Sequence, residues 1–340
     1  MTFSVRAMQL AGPAPVRLSP LIAVERAVPQ PAPGEVLVRV AACGICRTDL
    51  HIVEGELPLV RSPIIPGHQV VGRVERVGVG VGERRAGDRV GIAWLRSTCG
   101  VCRHCRLGRE NLCERAQFTG YHADGGYAEY AVAPAEYVYT IPDGFDDVEA
   151  APLLCAGIIG YRALRLSAVE SGQRLLMYGF GSSAHITLQV AVARGVQVYV
   201  CTREPANRAL ARTLGAAWTG GPADRPPAAA DGAIIFAPAG ELVPLALRNL
   251  APGGILALAG IYMTAIPPLE YGDVHGERTI TSVTANTRDD GRSLLDEAAR
   301  IRIRPAVTTF PLADANRALQ QLAAGGFAGS GVLVAGASGV

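Results

Sequence analysis

The sequence predicts an α/β chain of two modules, a β-rich and loop-rich one followed by a doubly wound parallel sheet. Three observations carry this. Short β-branched runs separated by glycines fill the first 150 residues, as at Val36–Val40 and Val70–Val74, with turns at Gly78, Gly80, Gly82 and Gly87. From Gln173 onward, strand-like and helix-like stretches alternate, which argues a parallel sheet covered on both faces. Finally, 49% of the 340 residues are hydrophobic and 18% charged, which excludes a disordered chain.

Taken in order, Gly125–Ala133 and Tyr137–Ile141 continue the β-rich style. The texture changes near Ala150. Leu175–Tyr178 reads as a strand, His185–Arg194 as a helix and Val196–Cys201 as a strand. Asn207–Leu214 is helical, and Ala233–Phe236 and Ile255–Ala259 are strands. Ser293–Arg300 and Ala313–Ala323 are helices, and Gly331–Val334 is a closing strand that returns the chain to the first module. Gly221–Ala230 is a Pro/Ala-rich loop.

Composition narrows the function. A chain this long buries a core large enough to need no disulfides. Gly 40 and Pro 23 together imply many tight turns without a collagen period. The formal net charge of +2, with no basic stripe, leaves no electrostatic footprint for nucleic acid. All 32 basic side chains are arginine. No apolar run reaches the ~18 residues of a membrane helix. Arg6 and Gln9 stand where a signal peptide would need an apolar core, so a cytoplasmic protein is expected. In that reducing compartment the eight cysteines are not expected to pair.

Gly179-Phe180-Gly181-Ser182-Ser183-Ala184 lies between a strand and a helix. That is the context of a dinucleotide-binding fingerprint. The first glycine makes the tight turn, the second admits the pyrophosphate to the backbone, and Ala184 keeps the helix close to the sheet. A plain strand–helix turn would share the pattern. The next strand ends in Thr202-Arg203, with Arg208 a little over one helical turn on. An NAD-selective site would place Asp or Glu there. A hydroxyl beside a guanidinium suits a 2′-phosphate, so NADP(H) is preferred and NAD(H) remains open.

Cys99-x2-Cys102-x2-Cys105-x7-Cys113 is the strongest signal in the chain. Four thiolates so close can fill a tetrahedral zinc shell, which is a structural site. A redox pair, or a zinc ribbon beside Arg103, Arg106 and Arg109, would look similar locally. Cys46, His68 and Cys155 form a second, dispersed set with the composition of an open catalytic zinc site. Spacing alone does not bring them together, since His68 could be a turn histidine and Cys155 a core thiol.

Several segments carry a resemblance. They are Cys43-Gly44-Ile45-Cys46-Arg47-Thr48-Asp49-Leu50-His51, Gly67-His68-Gln69-Val70-Val71-Gly72 and Gly87-Asp88-Arg89-Val90, then the four-cysteine lobe. Gly125-Gly126-Tyr127-Ala128-Glu129-Tyr130 and Leu154-Cys155-Ala156-Gly157 extend it. Together they resemble the zinc-dependent medium-chain alcohol dehydrogenases, in order over essentially the whole chain.

The resemblance implies a GroES-like catalytic domain over 1–156 and 292–340, and a Rossmann cofactor domain over 157–291. It implies a catalytic zinc on Cys46, His68 and Cys155, with Asp49 orienting the imidazole. A second, structural zinc falls to Cys99, Cys102, Cys105 and Cys113. Cys43 and Cys201 are left as ordinary buried thiols. By the same likeness Thr48 takes the alcohol proton and passes it through cofactor ribose to His51. Arg47 contacts the pyrophosphate, Trp94 and Leu153 line the substrate pocket, and Ala237, Pro238, Ala259, Gly260 and Ile261 flank the nicotinamide. Two positions depart from the family. Gln69 replaces the usual Glu after the histidine, which alters the charge beside the metal, and Ser330 stands where many members carry a phosphate-binding Arg.

The implied activity is reversible hydride transfer between a small alcohol or carbonyl and NADP(H), by a homo-oligomer, dimer or tetramer, without nucleic-acid or membrane partners. Two competing readings are a specialised reductase of an activated alkene or imine, and a catalytically silent dinucleotide-binding relative.

Overall fold

The computed structural model describes residues 4–335. Positions 1–3 and 336–340, the outer limits of the expected catalytic domain, lie outside the described residues. Two compact units divide the chain. One takes it up to Cys155, then Ala285–Ala299 and everything from Pro305; the other is Ala156–Thr284 with Arg300–Arg304. The chain thus re-enters the first unit at Ala285, ahead of the expected 292. The reason is local: the last strand of the second unit ends at Ser282. Just beyond it, Asn286 and Arg288 are already held by first-unit partners, Tyr139 and Glu110.

The first unit is built on a seven-stranded sheet. Its order runs Val307–Pro311, Ser330–Val334, Glu35–Ile45, Gln69–Val77, Arg89–Ile92 and Val138–Thr140, with Tyr130–Pro134 also paired to Glu35–Ile45. Glu35–Ile45 and Gln69–Val77 pair antiparallel at its centre. The hydrophobic runs read from the sequence explain this placement. Val36, Leu37 and Val38 are fully buried, as are Val70 and Val71. Gln69–Val77 is buried at its start and exposed at its end, so the end that follows His68 lies in the core. A hairpin, Ser4–Leu10 with Leu21–Ala27, adds Met8, Leu10 and Leu21 to that core.

The second unit is a six-stranded parallel sheet. Its order is Trp218–Gly220, Gln197–Cys201, Arg174–Tyr178, Ala230–Ile235, Leu250–Leu258 and Thr279–Ser282. Numbered by sequence this is the dinucleotide-binding order 3-2-1-4-5-6, whose direction reverses beside the first strand. Leu175, Leu176, Met177 and Tyr178 are all fully buried, as a strand covered on both faces requires. Sequence patterning missed the helices Ala156–Leu166 and Leu242–Arg248.

The helix after the glycine turn begins at Ser182, three residues before the expected start. His185 on it is wholly buried, with Nδ1 3.2 Å from the Gly181 carbonyl. Burial pushes this imidazole down to about 4. In the unfolded chain it titrates near ~6.5. Between those values the unfolded state binds the extra proton, so stability falls as pH drops through this window. The shift is worth about 3 kcal/mol. Urea midpoints at pH 7 and pH 4.5 are expected to fall less for His185→Gln than for the parent chain. Equal falls would remove His185 from the acid sensitivity.

No helix among the described residues is long and apolar enough to cross a membrane.

Candidate active site and metal centres

The helix Arg47–Glu54 organises the first site. Cys46 is its N-cap, and the Cys46 backbone N–H donates to Asp49 Oδ2 at 2.8 Å, half of a reciprocal capping box. The other carboxylate oxygen, Asp49 Oδ1, lies 3.3 Å from His68 Nδ1, with both side chains wholly buried. One carboxylate therefore caps the helix and faces the imidazole. His68 is delivered by a turn at Gly67, whose φ is +97°. A Cβ there would sit 2.4 Å from the Tyr127 ring and 2.9 Å from Cys43 Sγ, so only glycine fits.

On the far side of the ring, His68 Nε2 is 3.3 Å from Cys46 Sγ. Cys155, at the end of the short helical turn Ala151–Leu154, completes the group. The ligand atoms of Cys46, His68 and Cys155 all lie within 4.8 Å of one another.

The electrostatics fit a cation. A hydrogen bond from Cys155, together with the His68 charge and hydrogen bonds from His68 and Thr48, holds the Cys46 thiol well below its usual range despite burial. The same hydrogen bond to Cys46, with burial, holds Cys155 well above. Burial opposes a charged His68 ring, yet Asp49 and Cys46 raise it to about 10. Protons are thus crowded between two sulfurs and an imidazole in a largely buried place. Cys46, Cys155 and His68 would hold a divalent cation there, which would displace these protons. His68 Nδ1 and Asp49 Oδ1, both buried, also lack a well-formed hydrogen bond, the contact that a metal-ligating histidine would make to a carboxylate behind it.

Thr48 and His51 are buried and one helical turn apart on the same helix. Arg47 precedes them and is exposed. Gln69, 1% exposed, follows His68 and packs against Gly44, where any Cβ would come 3.0 Å from the Gln69 side chain. Trp94 meets the His68 ring edge-on at 4.9 Å between centroids and stacks on Phe118 at 4.8 Å. Tyr121 extends this aromatic wall. Leu153 is wholly buried, so of the two expected pocket residues only Trp94 keeps exposed surface.

The four-cysteine lobe is equally ordered. The ligand atoms of Cys99, Cys102, Cys105 and Cys113 also lie within 4.8 Å of one another, and none forms a disulfide. Backbone N–H groups of Cys102, Cys105 and Cys99 point at the sulfurs of Cys99, Cys102 and Cys113 at 3.3, 3.5 and 3.4 Å. Hydrogen bonds from the Val101 and Cys102 backbones lower Cys99 to about 5, and the desolvated Cys105 rises to about 11. Val101, Leu107 and Leu112 are exposed, so the lobe has little apolar surface to hold itself. The Arg288 side chain grips it from the same unit, donating to both Glu110 oxygens and stacking over Tyr137.

In the second unit the nucleotide-binding candidates converge on the reversal of strand order. Gly179 has φ +84°, and a Cβ there would lie 2.9 Å from the Ala237 nitrogen. A Cβ on Gly260 would lie 3.0 Å from the Ala237 carbonyl and 3.1 Å from Pro238. Gly181 has open space beside it, where a ligand can reach the backbone. Phe180 and Ala184 are buried, Ser182 and Ser183 are half-buried, and Ile261 is exposed. Ala259 continues the strand ladder, donating to the Ile235 carbonyl at 2.8 Å. Thr202 is buried at the end of its strand. Arg208 folds back onto that end, its Nη1 donating to the carbonyls of Thr202 and Arg203 at 2.8 Å each. Ser330 is buried in the first unit's sheet.

Sequence reasoning missed Glu56, which contacts His51 Nδ1. A helix-stop glycine at Gly55 was the available signal. It also missed Phe118 and Tyr121, for which single aromatic residues in a loop offer no pattern.

Residues 32–143 match the alcohol dehydrogenase GroES-like domain family. Over 98% of its length and 98% of the relative's, the chain is 53% identical to a probable alcohol dehydrogenase of Mycobacterium tuberculosis (strain CDC 1551 / Oshkosh). It is 40% identical to an alcohol dehydrogenase of Geobacillus stearothermophilus, covering 91% of this chain and 94% of that one. Among solved structures, the cobalt- and zinc-bound thermostable alcohol dehydrogenase from Pyrobaculum aerophilum superposes with a TM-score of 0.90. That match has 28% identity and covers 98% of this chain and 100% of the other.

Proposed function

The chain belongs to the zinc-dependent medium-chain alcohol dehydrogenases, and from that premise we propose that it moves hydride between a primary or secondary alcohol and NADP(H) at a zinc held by Cys46, His68 and Cys155. It is an oxidoreductase acting on alcohols. The observation that carries the site assignment is the convergence of two sulfurs and His68 Nε2, with Asp49 behind the ring. A second zinc on the four-cysteine lobe belongs to the same reading, as do a cytoplasmic location and a homo-oligomer, dimer or tetramer.

When bound, zinc supplies a Lewis acid for the alcohol oxygen and the nicotinamide supplies a hydride acceptor. The chain's own residues do the rest. Asp49 holds the His68 ring so that Nε2 faces the two sulfurs. Thr48, buried beside Cys46, takes the alcohol proton, and His51 one turn on receives it. Trp94 closes one side of the site against His68 and presents an apolar face to the substrate carbon chain.

The preference for NADP(H) rests on the end of the second strand of the parallel sheet. The position of Thr202 holds a hydroxyl in place of the carboxylate an NAD-selective site would carry, which suits a 2′-phosphate there. Arg208 is anchored to that end by two hydrogen bonds, and Arg203 projects from it with 83% of its side chain exposed. Glu204 lies 3.7 Å from Arg203 and offsets part of its charge. Replacing Arg203 by alanine is expected to raise the KM for NADP about tenfold, as loss of one charge-assisted contact implies, with the KM for NAD little changed. Cofactor absorbance during incubation with a panel of alcohols and aldehydes, run with both cofactors, tests the activity and the preference together. Equal sensitivity of the two cofactors would make Arg203 a plain surface residue.

A further inference from the structure

The end of the helix Arg47–Glu54 carries a feature that the assigned roles leave unused. Gly55 caps it in the left-handed conformation, with φ +82°. The chain then turns back, and the Leu57 N–H donates to the His51 carbonyl at 3.0 Å. That turn lays the Glu56 side chain over the helix end, where Oε2 contacts His51 Nδ1. The two partners differ in environment: the His51 side chain is 8% exposed and that of Glu56 is 41% exposed. An acid that meets one ring nitrogen of a buried histidine, one helical turn from Thr48, can fix which ring nitrogen carries the proton.

We propose that Glu56 is the positioning residue for proton transfer in this enzyme, selecting the His51 tautomer and balancing the imidazolium that forms during turnover. The proposal rests on the reading of Thr48 and His51 as the proton path. In alcohol oxidation a bound nicotinamide would accept the electron pair of the broken carbinol C–H bond as hydride. The O–H proton leaves by way of Thr48. His51, with its Nδ1–H held by Glu56, takes that proton at Nε2, forming an N–H bond and an imidazolium. The Glu56 carboxylate pairs with it. The imidazolium then gives one proton to water, which restores the Nδ1–H tautomer. Carbonyl reduction runs the same steps backward, and no further oxidant or reductant enters.

The test uses the zinc-loaded protein and three variants, Glu56→Gln, His51→Gln and the double variant. Gln keeps the shape of Glu and removes the charge, and the exposure of Glu56 makes the change tolerable to the fold. Single-turnover alcohol oxidation is expected to slow about tenfold in Glu56→Gln, a fraction of the 10²–10⁴ that positioned proton transfer contributes. His51→Gln is expected to slow at least as much, and the double variant no more than His51→Gln alone, because both act through one imidazole. A readout independent of turnover is ¹⁵N NMR of histidine-labelled protein. The Nδ1–H resonance that vanishes in His51→Gln is expected to shift in Glu56→Gln. If His51→Gln is slow while Glu56→Gln matches the parent, or if the two losses multiply in the double variant, the role of Glu56 is overturned and the proton path stands. If His51→Gln itself turns over normally, the proton path is wrong and the proposal falls with it.

Discussion

Replacing His68 by alanine is expected to lower alcohol oxidation at least about a thousandfold while the chain still folds. Lewis-acid stabilisation by a metal is worth several kcal/mol at the transition state, and each ~1.4 kcal/mol is tenfold in rate. Two sulfurs alone, from Cys46 and Cys155, leave a shell too weak to hold the ion. The fold is expected to survive because Asp49 has another role. Its Oδ2 accepts from the Cys46 N–H and caps the helix, a contact that does not involve the imidazole. Stopped-flow cofactor absorbance and far-ultraviolet circular dichroism check the two halves. A variant that loses its spectrum along with its activity would mean His68 acts mainly in the fold. One that keeps its activity would mean the metal is held elsewhere.

Replacing Cys102 by serine is expected to have the opposite profile, with stability lost first. A structural zinc site contributes on the order of 10 kcal/mol to the state it closes, and this lobe buries little apolar surface in its place. Without the fourth thiolate the lobe is expected to loosen, taking with it the grip of Arg288 on Glu110. Limited proteolysis is expected to cut between Cys99 and Cys113 in the variant and not in the parent. An uncut variant that keeps the parent's melting temperature would show that the lobe holds without its metal.

The sequence made the metal chemistry legible to unequal degrees. The four-cysteine lobe could be read from spacing alone, because its ligands sit in one loop and a tetrahedral shell constrains local spacing. Cys46, His68 and Cys155 could not, since they come from a helix N-cap, a turn and a separate helical turn that only the folded sheet brings together. There the family likeness supplied what spacing lacked. The parallel sheet was visible in its buried hydrophobic runs, and its glycine turn in the residues that follow the first strand. The helix Arg47–Glu54 was not, because its exposed face is short and Asp49 is turned inward to serve His68. For the same reason Glu56 was missed: its meaning depends on a helix end that the pattern did not reveal. The early return of the chain at Ala285 was hidden because polar contacts, Asn286 to Tyr139 and Arg288 to Glu110, define it instead of an apolar period.

The most direct test of the two-centre account is the zinc content per chain of freshly purified parent protein, His68→Ala and Cys102→Ser, measured by elemental analysis beside turnover. Two disjoint ligand sets predict two zinc ions in the parent and one in each variant, with activity abolished in His68→Ala. A parent with a single zinc, or a His68→Ala variant that still holds two, would contradict it.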